Sequence, residues 1–525
     1  MRAKVEVNFF GGKKMQAGPA ASYLALVLLL GALIAMASCS GSSSTSITQP
    51  TNPVNPVGPN LVQISSDPFT IAPGQHATEV EPHMFSNGST LVAAFQTGRI
   101  SPGGATDIGW ATSTDGGSTW TRGFLPGLTT GEGGGPYDAA SDPAVAYDAK
   151  HGLWMIASLP ISATTHPPAV MVSISSNGTT WQNPVSVEPT AQNSDKNWIV
   201  CDNTANSPHY GNCYVEWDNP FNDDQIFMNT SSDGGQTWGT ALPLADLSGG
   251  IGGQPLVEPN GNVVVPIELN SAAIGAFSSS DGGASWTSPV TISPIQIHTD
   301  AGGIRSGPLP SAAIDGAGTI WVVWEDCRFR SGCLSNDLVY STSSDGVNWT
   351  AVTRVPIDDT GSSVDHFIPG IGIDPATSGA NAHVGIHYYF YSQSSCSTAT
   401  CQLNVGFISS ANAGTTWNAP VTLAGPMQLT DLPSSQNGLM VADYVATTFV
   451  SGVPHGVFAV AGSKSGSTFN EAIYTGQGLS VTAAGRQLSS AGDRPLHKLS
   501  DKIELERPEK GRVPPQRRKS SRSAK

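Results

Sequence analysis

At 525 residues, with 59 Gly, 38 Pro, 12 Trp and only 12% charged side chains, the chain suits many short strands and turns rather than helices. Its length exceeds one average domain but fits a repeat fold that closes as a single unit. The net charge of −15 is uneven: residues 1–39 carry +3, residues 486–525 carry +7 and residues 40–485 carry −25. So acidic a body excludes nucleic acid and anionic membrane surfaces as partners, and accepts neutral glycans, cationic partners or divalent cations.

In chain order, the first element is a targeting signal. Arg2, Lys4, Lys13 and Lys14 form a basic stretch, and Tyr23 to Met36 is an apolar run too short to span a membrane comfortably. It ends in Met36-Ala37-Ser38-Cys39, which resembles a bacterial lipobox. The resemblance implies lipidation of Cys39 after cleavage, with residues 1–39 as a lipoprotein signal peptide. Residues 40–59 are rich in Ser, Thr and Pro and read as a flexible tether.

From residue 60 one pattern recurs six times. The copies are Ser113-Thr-Asp-Gly-Gly-Ser-Thr-Trp120, Ser175-Ser-Asn-Gly-Thr-Thr-Trp181, Ser231-Ser-Asp-Gly-Gly-Gln-Thr-Trp238, Ser279-Ser-Asp-Gly-Gly-Ala-Ser-Trp286, Ser343-Ser-Asp-Gly-Val-Asn-Trp349 and Ser410-Ala-Asn-Ala-Gly-Thr-Thr-Trp417. Such a segment makes a hairpin turn. Asp or Asn accepts from the turn's own N–H groups, Gly supplies positive φ, and Trp packs its ring beneath. The pattern resembles the Asp-box, or BNR repeat, of sialidase-like β-propellers, and the resemblance covers roughly residues 60–476. It implies an all-β propeller.

Trp-to-Trp spacings of 48 to 68 residues allow one four-stranded blade each. In the unit around the fifth box, Ser311–Asp315, Thr319–Trp324, Leu338–Thr342 and Val352–Val355 read as its four strands. After the last box come three strands without a box, Met440–Phe449, Gly456–Val460 and Asn470–Tyr474. Asn60–Ser65 is an orphan strand that would complete them and remove an open edge. The expectation is a seven-bladed propeller over 60–477, with a six-bladed sialidase propeller as the alternative. Residues 478–525 read as a disordered basic tail.

Six cysteines fall into near neighbours in sequence: Cys201 and Cys213, Cys327 and Cys333, Cys396 and Cys401. Fifteen connectivities are possible, and proximity alone suggests these three disulfides, as in an oxidising compartment. No CxxC occurs and no His clusters with the cysteines, so no metal site and no cofactor is assigned.

Ligands of a propeller meet the loops that enter its inner strands and leave its second strands. By resemblance to sialidases, Tyr444 stands where the family places its nucleophile, and Arg305 and Arg328 are candidates for carboxylate-binding arginines. The family's Arg-Ile-Pro motif is missing, since the first inner strand reads Glu81-Pro-His-Met-Phe85. Exo-α-sialidase activity is therefore disfavoured. Asp-box endo-glycanases use paired carboxylates, for which Asp142, Asp195, Asp326 and Asp365 are candidates. Ser141-Asp142-Pro143 and Asp195-Lys196-Asn197-Trp198 resemble segments of exported bacterial sialidase-like proteins, with Lys196 as a substrate-binding residue. Other Asp-box propellers are binding scaffolds without chemistry. Two readings stay open: a glycoside hydrolase of sialidase-like fold, and a non-catalytic scaffold for a glycan or envelope protein. In both, the protein is a monomer held extracytoplasmically, in the periplasm or at the cell surface, by its lipid anchor alone.

Overall fold

A computed structural model describes residues 56–481 except 132–133, 164–166 and 190–192, and also residues 493 and 495. The segment expected to be a signal peptide, Cys39, most of the expected tether and nearly all of the basic C-terminal segment lie outside the described residues. Among the described residues no helix is long and apolar enough to cross a membrane.

Among the described residues the strands form four four-stranded antiparallel sheets, a two-stranded ribbon and one twelve-stranded sheet. The last divides into three four-stranded antiparallel units joined only by the single bridges Thr78–Glu471 and Ala105–Ala140, so that seven four-stranded units, called sheets below, result. In the order of their innermost strands, the sheets begin at Gln75–Asn87, Ala139–Asp148, Asp195–Cys201, Leu256–Val257, Ser311–Ile314, Asp365–Ile373 and Ala446–Val450. Each innermost strand touches the next, and the last returns to touch the first, so the sheets form a ring. Alternating side chains fill the spaces between neighbouring sheets, where large residues such as Trp217, Trp324 and Tyr389 are fully buried. The seventh sheet takes its outer strand from the other end of the chain. Leu61, Val62 and Gln63 pair with Gly476, Thr475 and Tyr474.

The repeated turns follow hydrogen-bond logic. In the first, Gly117 N–H donates to Ser113 Oγ at 2.8 Å and Thr119 N–H donates to Asp115 Oδ1 at 2.9 Å. Each turn also seats itself on the preceding sheet. A side chain at Gly235 would collide with Met155, at Gly283 with Tyr214, at Gly346 with Val264, and at Gly117 with His455 of the seventh sheet. The boxes thus join neighbouring sheets as well as strands. Trp417 has no exposed surface and lies 6.1 Å from the Tyr340 ring of the fifth sheet. Trp417→Ala should therefore lower stability by about 3–5 kcal/mol in urea unfolding. A loss below about 1 kcal/mol would show that the ring is not part of the packing between sheets.

The seventh sheet has no box, and where a box would sit on the sixth sheet the chain ends make the contact, alongside the bonds of Thr447 to Gly370 and of Tyr389 to Ala459. Pro56 carbonyl accepts from Gly425 N–H at 2.7 Å, and Val57 bridges to Ala424. Ser480 and Val481 carbonyls accept from Ser409 Oγ and Asn418 Nδ2. These contacts reach beyond the 60–477 span on both sides.

The three disulfides are Cys201–Cys213, Cys327–Cys333 and Cys396–Cys401. The first joins paired residues of the third sheet, and the others brace loops that leave the second strands of the fifth and sixth sheets.

Candidate functional site at the hub

Four innermost strands carry the same irregularity. The ladder skips two residues at Glu81-Pro82, Asp142-Pro143, Lys196-Asn197 and Ile368-Pro369. The first residue of each pair is left-handed, with φ of 51°, 48°, 49° and 49°. None is glycine, so each conformation is costly and is held by its surroundings. Proline explains part of the pattern, because a residue without N–H is tolerated in a strand at a bulge. The consequence is a buried cluster in which Glu81, Asp142 and Lys196 from three successive sheets meet.

Lys196 is the centre of this cluster. Its Nζ lies 3.0 Å from Asp142, 2.6 Å from Asp443 and 3.8 Å from both Glu81 and Asp195. Arg305 grips Asp443 with two donors, its Nε at 2.7 Å and its Nη2 on the other oxygen. Gln96 donates to Glu81 and, at 3.2 Å, to Ser141 Oγ. Asp195 is the most open member, with 26% of its side chain exposed, while Glu81 is sealed.

Burial and crowding divide the cluster by protonation. Burial, then the Asp142 carboxylate, pushes Glu81 well above the usual carboxylate range, against the pull of Lys196 and Arg305. Asp443 goes the other way. Burial would raise it, but Arg305 and Lys196 hold it below the usual range. Burial alone would lower Lys196, yet Asp142 and Asp443 carry it well above its ordinary value. Burial and its neighbours thus push Glu81 toward the neutral form beside ion-paired carboxylates.

An aromatic wall completes the hub. The Trp198 ring lies 4.4 Å from His83 and 5.2 Å from Tyr444. His83 Nδ1 accepts from Val145 N–H, and burial pushes its pKa down to about 3, so the ring is neutral. The Tyr444 hydroxyl donates to Pro143 carbonyl at 3.2 Å. Burial, then Glu81 and Asp142, pushes it well above the ordinary phenol value, which is the reverse of an activated nucleophile. Between Trp198, Gln254, Leu309 and Tyr444 remains a cavity of about 10 Å³, room for about one water. A wider opening of about 540 Å³ at Asn87, Asp374 and Ser451 lies among inter-strand turns, away from this chemistry.

Of the residues singled out in the sequence, Asp142, Asp195, Lys196, Arg305 and Tyr444 come together. Tyr444 does not lie on the seventh inner strand, which starts only at Ala446. Residues 440–445 leave the ladder because they serve other partners. Val441 carbonyl accepts from Glu81 N–H, Met440 sulfur meets Arg99, and Asp443 meets the two cations. Asp326 and Arg328 sit elsewhere and neutralise each other at 2.6 Å. Asp326 also accepts from Gln296 N–H and Trp324 Nε1, and so anchors the loop that enters the fifth sheet. Arg99 braces its own loop through Ile100 and Gly104 carbonyls. Three arginines do not converge on a free carboxylate site, and the arginine fork present is filled by Asp443.

Glu81 and Asp443 stand in the sequence among the acids of segments that enter inner strands, but nothing there marks them as partners of Lys196 and Arg305. Asp337 and Asp358 approach His366, but Arg330 and Arg354 bond both carboxylates at 2.5–2.8 Å.

The solved structures similar to this chain are distant. A Dyadobacter fermentans protein of unknown function is 15% identical over 67% of this chain and 99% of its own, with a TM-score of 0.42. The NanB sialidase from Streptococcus pneumoniae is 15% identical over 80% of this chain and 69% of its own, at 0.39. A family PL25 ulvan lyase is 12% identical over 79% of this chain and 96% of its own, at 0.44. No curated protein matches the chain in sequence. Within the chain itself, residues 88–314 match the BNR repeat-like domain family.

Proposed function

We propose that this is an exported propeller with a carbohydrate-directed role at the cell envelope, that its hub is the ligand site, and that the chemistry is glycoside hydrolysis. The observation that carries this reading is the meeting of two buried carboxylates, Glu81 and Asp142, at one cation. Their oxygens lie 3.8 and 3.0 Å from the same Lys196 Nζ and so no more than about 7 Å apart, a carboxylate pair of the kind glycosidases use. Glu81 would protonate the leaving oxygen while Asp142 takes a proton from a water that attacks the anomeric carbon, so that the glycosidic C–O bond breaks as the C–O bond to water forms, with Asp195 and Trp198 at the entrance. Left-handed residues at both acids support the reading, since strain of this kind gathers at working sites.

One observation favours a second reading, a non-catalytic scaffold for a glycan or envelope protein. The cavity beside Trp198 and Tyr444 has room for about one water, so a sugar does not fit there unless its lining moves. A panel of neutral aryl glycosides tests the choice on the full chain. Hydrolysis predicts turnover that falls at least about 100-fold in Glu81→Gln and in Asp142→Asn. Absence of turnover on every glycoside, with glycan binding equal in wild type and both variants, would remove the hydrolytic reading and leave the scaffold.

A further inference from the structure

Of the four bulged innermost strands, one differs from the rest. After the left-handed residue three of them carry a proline, Pro82, Pro143 and Pro369, whereas the third sheet carries Asn197. Proline serves such a bulge because no N–H bond is needed there. The backbone irregularity therefore does not call for an amide side chain. Asn197 is 1% exposed, yet neither its Oδ1 nor its Nδ2 has a hydrogen-bond partner among the described residues. A buried amide left unpaired is destabilising, so a folding role does not account for it.

The surroundings of Asn197 suit a ligand. It lines the cavity of about 10 Å³ together with Trp198, Gln254, Leu309 and Tyr444. That volume takes one water or one group of the same size. The Trp198 indole is half-buried, which leaves part of the ring open to a ligand. Gln254 is held in place by Ala312 N–H, which donates to its Oε1 at 2.9 Å. An indole with an amide beside it is chemistry for a neutral sugar. The C–H groups of the sugar rest on the ring, and a hydroxyl, both donor and acceptor, meets the amide. Anionic sugars are not served, because Lys196 and Arg305 are already held by Asp142 and Asp443.

We infer, on the carbohydrate-directed reading of the hub, that Asn197 is a specificity-determining residue whose amide takes one hydroxyl group of a neutral sugar, with the sugar ring outside the cavity against Trp198. A whole ring does not fit the cavity, but one hydroxyl does with the lining as it stands. A sugar lacking that hydroxyl leaves the amide unpaired again and is rejected.

The test titrates the full chain by calorimetry with neutral gluco-, galacto-, manno- and xylo-oligosaccharides, and with the monodeoxy analogues of any sugar that binds. Wild type should bind at least one of them. Asn197→Leu, which keeps the volume and removes the hydrogen bonds, and Asn197→Ala should each weaken that binding by at least about tenfold. One monodeoxy analogue should bind wild type at least about tenfold more weakly than its parent, and the two should bind Asn197→Leu equally. The thermal midpoint of the variants should not fall, since the amide has no bond to lose. Equal affinity of wild type and both variants for a bound sugar would overturn the inference and leave the carbohydrate reading standing. A lower midpoint in both variants, with the deoxy discrimination intact, would give Asn197 a structural role instead. No binding of any of these sugars by wild type would overturn the inference and the carbohydrate reading together.

Discussion

Lys196→Ala should lower stability by about 3–5 kcal/mol, because it strands two buried carboxylates that have no other way into water. Asp142 and Asp443 lie 3.0 and 2.6 Å from the ammonium, and their residues are 2% and 9% exposed. Arg305 still holds Asp443, so the larger share of the loss falls on Asp142 and on the left-handed turn that carries it. Lys196 N–H also donates to Asp142 at 3.2 Å, and this bond survives the substitution. Urea unfolding would measure the effect. Combining Lys196→Met with Asp142→Asn should recover at least half of it, since the uncompensated charge then disappears together with its partner. If the single variant lost less than about 1 kcal/mol, the hub would have to be wet and the account of a sealed ion cluster would be wrong.

The second large effect concerns pH at the seam where the ring closes. Glu79 lies beside the bridge between Thr78 and Glu471 that joins the first sheet to the seventh. Burial, then Asp67, pushes Glu79 up to about 8, while Ser65 and Arg122 pull the other way. Burial, then Glu79, pushes Glu471 well above its ordinary value, and both its oxygens are buried without a hydrogen bond. Tyr474 of the same sheet is raised as well, by burial and then Glu79. A folded carboxyl raised in this way keeps a proton that the unfolded chain has already released above its ordinary value of 4.5. Stability is then highest below that value and falls as pH rises toward 8, by up to about 1.4 kcal/mol per pH unit from Glu79 alone. Glu81 and Glu216 are raised too and add to the slope, so the informative quantity is the difference between wild type and Glu79→Gln. The curves should diverge from pH 5 to pH 8, with the variant the flatter. Parallel curves would mean that Glu79 is not protonated in the folded protein.

The fold was legible because its repeat is local. Ser, Asp or Asn, Gly and Trp within eight residues specify a turn from their own hydrogen bonds and torsions, and no distant partner is needed. The strands of the fifth sheet were legible for the same reason. The hub was legible only in part, because its elements meet across long separations. Asp142-Pro143 and Asp195-Lys196 stood out as strand-entry segments, yet nothing local says that Asp443 and Arg305 complete them from other sheets. Asp326 and Arg328 show the opposite failure. They have the right residue types on the right kind of loop, but neighbours two apart satisfied each other. Tyr444 looked like a strand residue because Met440 to Phe449 is apolar and β-branched, while its backbone is diverted by the partners of Val441 and Asp443.

The junction made by Pro56, Val57, Ser480 and Val481 has a topological meaning. Asn60 carbonyl accepts from Gln477 N–H at 2.9 Å, so the two chain directions run side by side at one point of the ring. The polypeptide is in effect a circle with a single nick, and the nick falls where a turn motif is missing. Load applied to the chain upstream of Pro56 therefore arrives first at the Pro56–Gly425 bond and the Val57–Ala424 bridge on the sixth sheet, and next at the three residue pairs of Leu61–Gln63 on the seventh. Tension on that end of the chain is taken up at this seam before it reaches the other five sheets.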